Sequence, residues 1–209
     1  MGRLLFVVII CLILTGVVFS FNLVEESLSD LKSLKPTIYQ LTFLPLFLID
    51  REIQNMFSSK YEIYIVDFIN KMDVKDFVIL TSVLSFITYF NDPYLSFTIL
   101  ESVTVNSFIT YGLKFFIGRA RPTYSDSPFL FKPFSLENEF NSLPSGHSSF
   151  AWALFTPIAE KYGKIFYMIP VIFSISRVIG DYHWFSDVVA GAIIGYTIGK
   201  VFFQEKSVP

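Results

Sequence analysis

Long apolar segments separated by short polar turns dominate the chain. Asp92-Pro93 is a turn signal between the first two of them, and a polar stretch at 160–164 separates the third from the fourth. No segment alternates with the period of two that indicates a half-buried strand, so the sequence predicts an all-α protein. The predicted helices are 76–90, 93–117, 146–160, 164–179 and 186–203.

The first 21 residues form a separate apolar element. Arg3 precedes an apolar run that ends in Val-Phe-Ser, which is typical of a secretory signal peptide cleaved after Ser20. The length of the run fits an uncleaved membrane anchor equally well.

The next stretch, 22–75, is less regular. Its apolar segment 37–49 is broken by Pro45 and predicts an interfacial or re-entrant piece, and 51–73 has the pattern of an amphipathic surface helix. The sequence therefore predicts three regions: a signal peptide or anchor at 1–21, an interfacial and amphipathic region at 22–75, and a helical core at 76–205.

Composition favours a membrane-embedded chain over the alternative, a very apolar soluble helical domain. Hydrophobic residues make up 53% of the sequence, 25 residues are phenylalanine, and the mean hydropathy is +0.55. Glycines at 191, 195 and 199 allow a second helix to approach closely, as helices do in lipid. A net charge of -2 gives no basic surface for nucleic acid, and the single Cys11 excludes disulfides within the chain.

Counting turns places the polar connections on two faces. If successive helices run in opposite directions, the loop 118–145, the start of the 146–160 helix and the turn 180–185 share one face. The other face then holds a set of lysines, which predicts that it is the inner one. These are Lys161, Lys164, Lys200 and Lys206.

Three cations converge on the predicted outer face. Lys114 and Arg121 are seven residues apart, two helical turns, and Arg177 ends the 164–179 helix. Taken singly, Arg119, Arg121 and Arg177 are typical of interfacial anchors. Together with both histidines of the chain, the cations instead predict a site for an anion, and arginine and lysine suit phosphate oxygens.

Two polar stretches supply candidate chemistry for that anion. Ser145 is a good helix N-cap and Gly146 allows close backbone approach, so the first turn of the following helix can bind an anion. His183 and Asp187 are four residues apart, so the carboxylate can fix the imidazole tautomer and leave the other ring nitrogen free to attack. His147 can then protonate the leaving oxygen.

A metal site is the alternative for the same residues. His147, His183 and Asp187 could form a two-histidine, one-carboxylate site. Three cations in the same pocket would oppose a divalent ion, so the sequence predicts a phosphate site with no metal and no cofactor.

Three stretches resemble the signature motifs of the type 2 phosphatidic acid phosphatase family. They are KFFIGRARP at 114–122, PSGH at 144–147 and SRVIGDYHWFSD at 176–187. The resemblance implies a six-helix membrane bundle with its site at helix ends on the outer face. It also implies a metal-independent phosphohydrolase that acts through a phosphohistidine.

Carried onto this chain, the resemblance assigns a role to each candidate residue. His183 would attack phosphorus, Asp187 would orient it, and His147 would protonate the departing oxygen and then activate water. The remaining motif residues would bind the phosphoryl oxygens: Lys114, Arg121, Ser145, Gly146 and Arg177.

The expected substrate is a lipid phosphate or lipid pyrophosphate, such as phosphatidic acid, phosphatidylglycerophosphate, undecaprenyl pyrophosphate or a lipid A phosphate. The expected location is the inner membrane, with the site facing the periplasm or exterior and no obligate protein partner. Alternatives are a secreted nonspecific acid phosphatase, a vanadium haloperoxidase, and a transporter or scaffold with a vestigial site. The segment 127–134 is either an apolar lip for lipid chains or a packed loop.

Overall fold

The computed structural model describes residues 38–57 and 64–206, together with Ser29 and 32–34. The predicted signal or anchor at 1–21 lies outside these described residues. Within them, seven α-helices and short 3-10 turns account for the regular structure, and the only strand-like feature is an isolated bridge between Arg119 and Phe131. The all-α prediction is confirmed.

The five predicted core helices are present with small shifts of their ends. The predicted helix at 51–73 corresponds to two short helices, and residues 58–63 between them lie outside the described part of the chain. The described residues of the predicted segment 37–49 form two 3-10 helices, Ile38–Leu41 and Leu44–Leu48. The α-helices are α1 Asp50–Phe57, α2 Tyr64–Lys71, α3 Val74–Tyr89, α4 Pro93–Ile117, α5 Gly146–Tyr162, α6 Met168–Ile179 and α7 Phe185–Lys206.

Local capping explains where α4 begins and ends. The Asp92 side chain accepts a hydrogen bond from the Leu95 amide at 3.0 Å, and Pro93 occupies the first turn, where its missing N–H costs nothing. Gly118 ends the helix in the left-handed region at φ 59°. A Cβ at Gly118 would lie 1.8 Å from the carbonyl oxygen of Lys132, so both the conformation and the close approach require glycine.

Helices α5 and α7 pack most extensively, along the predicted row of glycines. A Cβ at Gly191 would lie 2.5 Å from the carbonyl oxygen of Ser145, and one at Gly195 would lie 2.2 Å from that of Ser149. The backbones therefore touch where side chains are missing. This contact places the start of α7 beside the start of α5.

The distribution of polarity is partly inverted relative to a soluble bundle. On α4, polar residues spaced four apart form a buried row. Two of them contact the Ser149 hydroxyl of α5: Thr110 at 3.0 Å and Asn106 at 3.3 Å. Large apolar side chains of α3 and α4 are exposed, including Phe86 at 56% and Phe108 at 78%. Among the described helices, the stretch Phe185–Gln204 has the length and hydropathy for a membrane crossing, and half of it is buried inside the protein.

Candidate active site

The motif residues of α4 through α7 meet at one end of the bundle. Lys114, in the last turn of α4, is buried and donates a hydrogen bond from Nζ to the carbonyl oxygen of Asn141 at 2.6 Å. A Cβ at Gly146 would lie 3.7 Å from the Lys114 Cε, so this side chain lies along the start of α5. The lysine therefore joins the ends of two helices.

Two arginines approach the same place, and both contact Tyr182. Arg177 is buried, and its guanidinium lies 4.2 Å from the centre of the Tyr182 ring. Its Nη1 donates to the side-chain oxygen of Asn70 in α2 at 2.7 Å, while its Nε has no hydrogen-bond partner among the described residues. Arg121 is partly buried and donates from Nε to the carbonyl oxygen of Asn138 at 3.0 Å.

His183 lies in the turn before α7, buried next to Asp187. The predicted direct hydrogen bond between them is not formed, because His183 Nδ1 and Asp187 Oδ2 are 3.7 Å apart. Ser142 lies between them: its hydroxyl donates to Asp187 Oδ2 at 2.5 Å and is 3.4 Å from His183 Nδ1. The backbone amide of Trp184 donates to the same carboxylate oxygen at 3.0 Å. Asp187 therefore orients the turn and reaches the imidazole mainly through the serine.

The electrostatic environment keeps His183 neutral. Burial lowers the pKa of its imidazole well below the usual value, and the positive charges of Lys114, Arg121 and Arg177 lower it further. A neutral imidazole has a lone pair on one ring nitrogen, as a nucleophile requires. The same interactions indicate that all three cations lie near this ring.

The start of α5 faces the cations. Ser145 occupies the N-cap position, but its side chain makes no capping hydrogen bond, contrary to the prediction. Its buried hydroxyl has no partner within the described part of the chain, and its amide donates to the backbone carbonyl of Asp187 at 2.8 Å. A buried hydroxyl without a partner, close to three cations, can donate a hydrogen bond to a bound anion.

His147 is held by the connection between α2 and α3. Its Nε2 is 2.8 Å from the carbonyl oxygen of Met72, and its ring makes an edge contact with Phe77 at 5.2 Å between centroids. A carbonyl oxygen only accepts, so Nε2 carries a proton in this arrangement. The other nitrogen, Nδ1, is the one that can exchange a proton with a ligand.

Arg119 is the main residue to which sequence reasoning assigned no role in the site. It is fully buried rather than an interfacial anchor, and its guanidinium lies 4.0 Å from the centre of the Phe47 ring. One amino group donates to Asp187 at 2.6 Å, and the other to Asp50 at 2.8 Å. Asp50 also accepts hydrogen bonds from the amide and hydroxyl of Ser186.

The sequence carried no signal for this buried network. Asp50 follows an apolar segment, and Ser142 and Ser186 are ordinary polar positions of a loop and a first helical turn. The KFFIGRARP stretch does contain a second arginine, but its partner lies 69 residues earlier in the chain. Among the described residues, no group of three or more histidine, cysteine, aspartate and glutamate side chains could hold a metal ion.

An apolar cavity of about 500 Å³ adjoins the site. Leu143 and Pro144, which separate Ser142 from Ser145, form part of its wall, and the rest comes chiefly from α4 and α7. The loop segment 127–134 lies nearby: Phe129 and Phe131 pack against Phe47, yet both stay more than one-third exposed. The segment is thus packed on one side and open on the other.

Comparison with known proteins gives one family and several relatives. A model described as the PAP2 superfamily matches residues 95–206, more than half of the chain. Lipid A 1-phosphatase of Rhizobium johnstonii is 36% identical over 107 residues, 49% of this chain and 42% of that protein. Lipid A 1-phosphatase of Rhizobium etli is 34% identical over 102 residues, 46% of this chain and 44% of that protein.

A protein of the same name from Porphyromonas gingivalis is 35% identical over 68 residues, 29% of this chain and 15% of that protein. The chain therefore spans less than half of the length of these curated relatives. No solved structure matches the chain.

Proposed function

Since the chain belongs to the PAP2 superfamily, we propose that it is a membrane-bound phosphatase that hydrolyses a lipid phosphate. The observation that carries the proposal is the group of three cations, Lys114, Arg121 and Arg177, around the buried imidazole of His183. Fixed positive charges bind a phosphoryl group and stabilise the charge on its oxygens as the bond to the leaving group breaks. The unpartnered Ser145 hydroxyl and Arg177 Nε are further donors for those oxygens.

In the proposed reaction, His183 attacks phosphorus through Nε2. Its Nδ1 keeps a proton and faces the Ser142 hydroxyl and Asp187, which stabilise the positive charge that the ring gains. The bond from phosphorus to the leaving oxygen breaks, and His147, protonated once the negative phosphoryl group offsets the nearby cations, gives that oxygen the proton of its Nδ1. Water then attacks the phosphohistidine with His147 as the base, which releases inorganic phosphate and restores neutral His183.

We propose a lipid A-type 1-phosphate as the substrate, in the inner membrane with the site facing the periplasm. Three curated relatives bear the name lipid A 1-phosphatase. The apolar cavity beside Leu143 and Pro144 supports a substrate with hydrocarbon chains, and the exposed apolar side chains of α3 and α4 support a lipid environment. Lys161 and Lys164, at the opposite end of the bundle, fit a cytoplasmic end there.

The test is a substrate panel with the purified full-length protein in detergent. Lipid A, phosphatidic acid, undecaprenyl pyrophosphate and a water-soluble phosphomonoester are assayed for phosphate release, with and without a chelator. We expect lipid A to be dephosphorylated at position 1 and the rate to be the same with the chelator. His183→Ala and His147→Ala should abolish turnover while leaving the fold intact, as a cooperative thermal transition would show, and near-full activity in either variant would contradict the assigned roles.

Fractionation separates this proposal from a secreted acid phosphatase. Activity that stays with membranes after a salt wash and is released by detergent supports the membrane enzyme. Acid-labile, base-stable label on the protein after brief reaction with radioactive substrate is expected for a phosphohistidine, and its absence in His183→Ala is the control. Label that persists in that variant would contradict His183 as the nucleophile.

A further inference from the structure

We propose that Asp50 is a positioning residue of the phosphatase site, which acts through Arg119 to fix the carboxylate of Asp187 beside His183. This inference rests on the proposed function. Asp50 lies outside residues 95–206, the part of the chain that matches the family model. The contacts that link it to the site are all buried.

Asp50 is a fully buried carboxylate with three donors. It accepts hydrogen bonds from Arg119 Nη2 at 2.8 Å and from the amide and hydroxyl of Ser186. The Ser186 amide is one of the free N–H groups in the first turn of α7, so Asp50 of α1 caps another helix. A carboxylate in this position fixes the start of α7 relative to α1.

Arg119 passes this restraint to Asp187. Its Nη1 donates to Asp187 Oδ1 at 2.6 Å and its Nε to the carbonyl oxygen of Pro128 at 2.9 Å. Because Oδ1 is occupied by the arginine, Oδ2 is the oxygen that faces the Ser142 hydroxyl and His183. The orientation of the carboxylate that supports the nucleophile is therefore set from the opposite side by the arginine.

The charges of Arg119 and its two carboxylate partners also favour this role for Asp50. Arg119 lies between two carboxylates, so the three buried groups together have one formal negative charge close to His183. Without Asp50, the arginine would have Asp187 as its only carboxylate partner and would be free to draw it away from the Ser142 hydroxyl. Substrate binding by Lys114 and Arg177 uses neither Asp50 nor Arg119 and should be preserved.

The test is the split between kcat and KM in Asp50→Asn, measured on the purified full-length enzyme with the water-soluble phosphomonoester. We expect kcat to fall about 10- to 100-fold, the same range as when a group that orients a metal-binding side chain is removed. KM and the inhibition constant of inorganic phosphate should stay within about threefold, because the three cations are unchanged. Arg51→Gln is the matched control: it removes the exposed ion pair to Asp126 from the same helix and should keep wild-type kcat.

A double variant tests the route through Arg119. If Asp50 acts through the arginine, adding Asp50→Asn to Arg119→Gln should lower kcat by less than about twofold, instead of multiplying the two losses. Wild-type kcat in Asp50→Asn, or a parallel rise of KM and the phosphate inhibition constant, would overturn the inference and leave the phosphatase proposal standing. An inactive wild-type enzyme would overturn both.

If Asp50→Asn does not fold, Ser186→Ala decides the question. The Ser186 hydroxyl accepts from Arg119 Nη1 at 2.7 Å and donates to Asp50, so it belongs to the same network. We expect a severalfold loss of kcat with an unchanged phosphate inhibition constant. Wild-type kcat in this variant would overturn the inference.

Discussion

The contact between α5 and α7 can be tested with a matched pair of glycine substitutions. Alanine normally stabilises a helix interior by about 0.8–1.0 kcal/mol relative to glycine. At Gly112 in α4 nothing lies within 4 Å of a new Cβ, so Gly112→Ala should show this gain. At Gly195 the new Cβ would lie 2.2 Å from the Ser149 carbonyl oxygen and 2.9 Å from both the Ala153 amide nitrogen and the Trp152 Cβ.

None of those neighbours is the end of a flexible side chain, so the two helices must move apart. Overpacking costs about 1–3 kcal/mol, and a contact of 2.2 Å with a backbone oxygen calls for the upper limit of about 3 kcal/mol. After the helix gain of about 1 kcal/mol, a net loss of about 2 kcal/mol remains for Gly195→Ala. At about 2–4 °C per kcal/mol, its melting temperature should fall by about 4–8 °C and that of Gly112→Ala should rise by about 2–4 °C. The assay is thermal unfolding in detergent followed by circular dichroism at the helix band.

The critical result is that the two substitutions shift the melting temperature in opposite directions. If Gly195→Ala stabilised the protein as much as Gly112→Ala, the close approach of α5 and α7 would be wrong. Because Gly191 also touches the carbonyl oxygen of Ser145, displacement of α7 should reach the site, and Gly195→Ala should lose phosphatase activity at temperatures where it remains folded.

Two further predictions concern the site. Asn70→Ala removes the side-chain oxygen that accepts a hydrogen bond from Arg177 at 2.7 Å. We expect the inhibition constant of inorganic phosphate to rise about tenfold, the equivalent of about 1.4 kcal/mol, with kcat less affected. A change of the inhibition constant under twofold would contradict this role of Asn70. His183 has its pKa lowered by burial and by the surrounding cations, so it should remain neutral as the pH falls through 6.5. NMR of labelled histidine, with His147→Gln to assign the two rings, measures this directly, and protonation of His183 at or above its usual pKa would refute it.

Much of the helical core follows from the sequence alone. Helices α3 to α7 are long apolar segments bounded by turn signals and caps, and each such signal depends only on neighbouring residues. Asp92-Pro93 before α4 and the glycine row on α7 are examples: the first fixes a helix start, and the second fixes which face meets another helix. Turn counting then gathers the helix ends that carry the motifs.

The support around the site could not be predicted in the same way. Periodicity shows which face of a helix is apolar, but it does not identify the partner of a charged residue at the end of that face. Arg119 and Asp50 each look like surface residues until they are paired, and burial of either without a charged partner would cost several kcal/mol. The position of Ser142 between His183 and Asp187 likewise depends on how the 118–145 loop folds back, which no local pattern specifies.

The contacts that α1, α2 and the residue after α2 make with the site have a practical consequence for protein engineering. Asp50, Asn70 and the Met72 carbonyl hold Arg119, Arg177 and His147, yet all three lie before residue 95. A chimera that grafts only the family-matched stretch onto a foreign anchor would carry every signature motif, but its two guanidinium groups and one imidazole would each lack a contact that holds them here. Chimeras of such enzymes should therefore include α1 and α2 in the transferred segment.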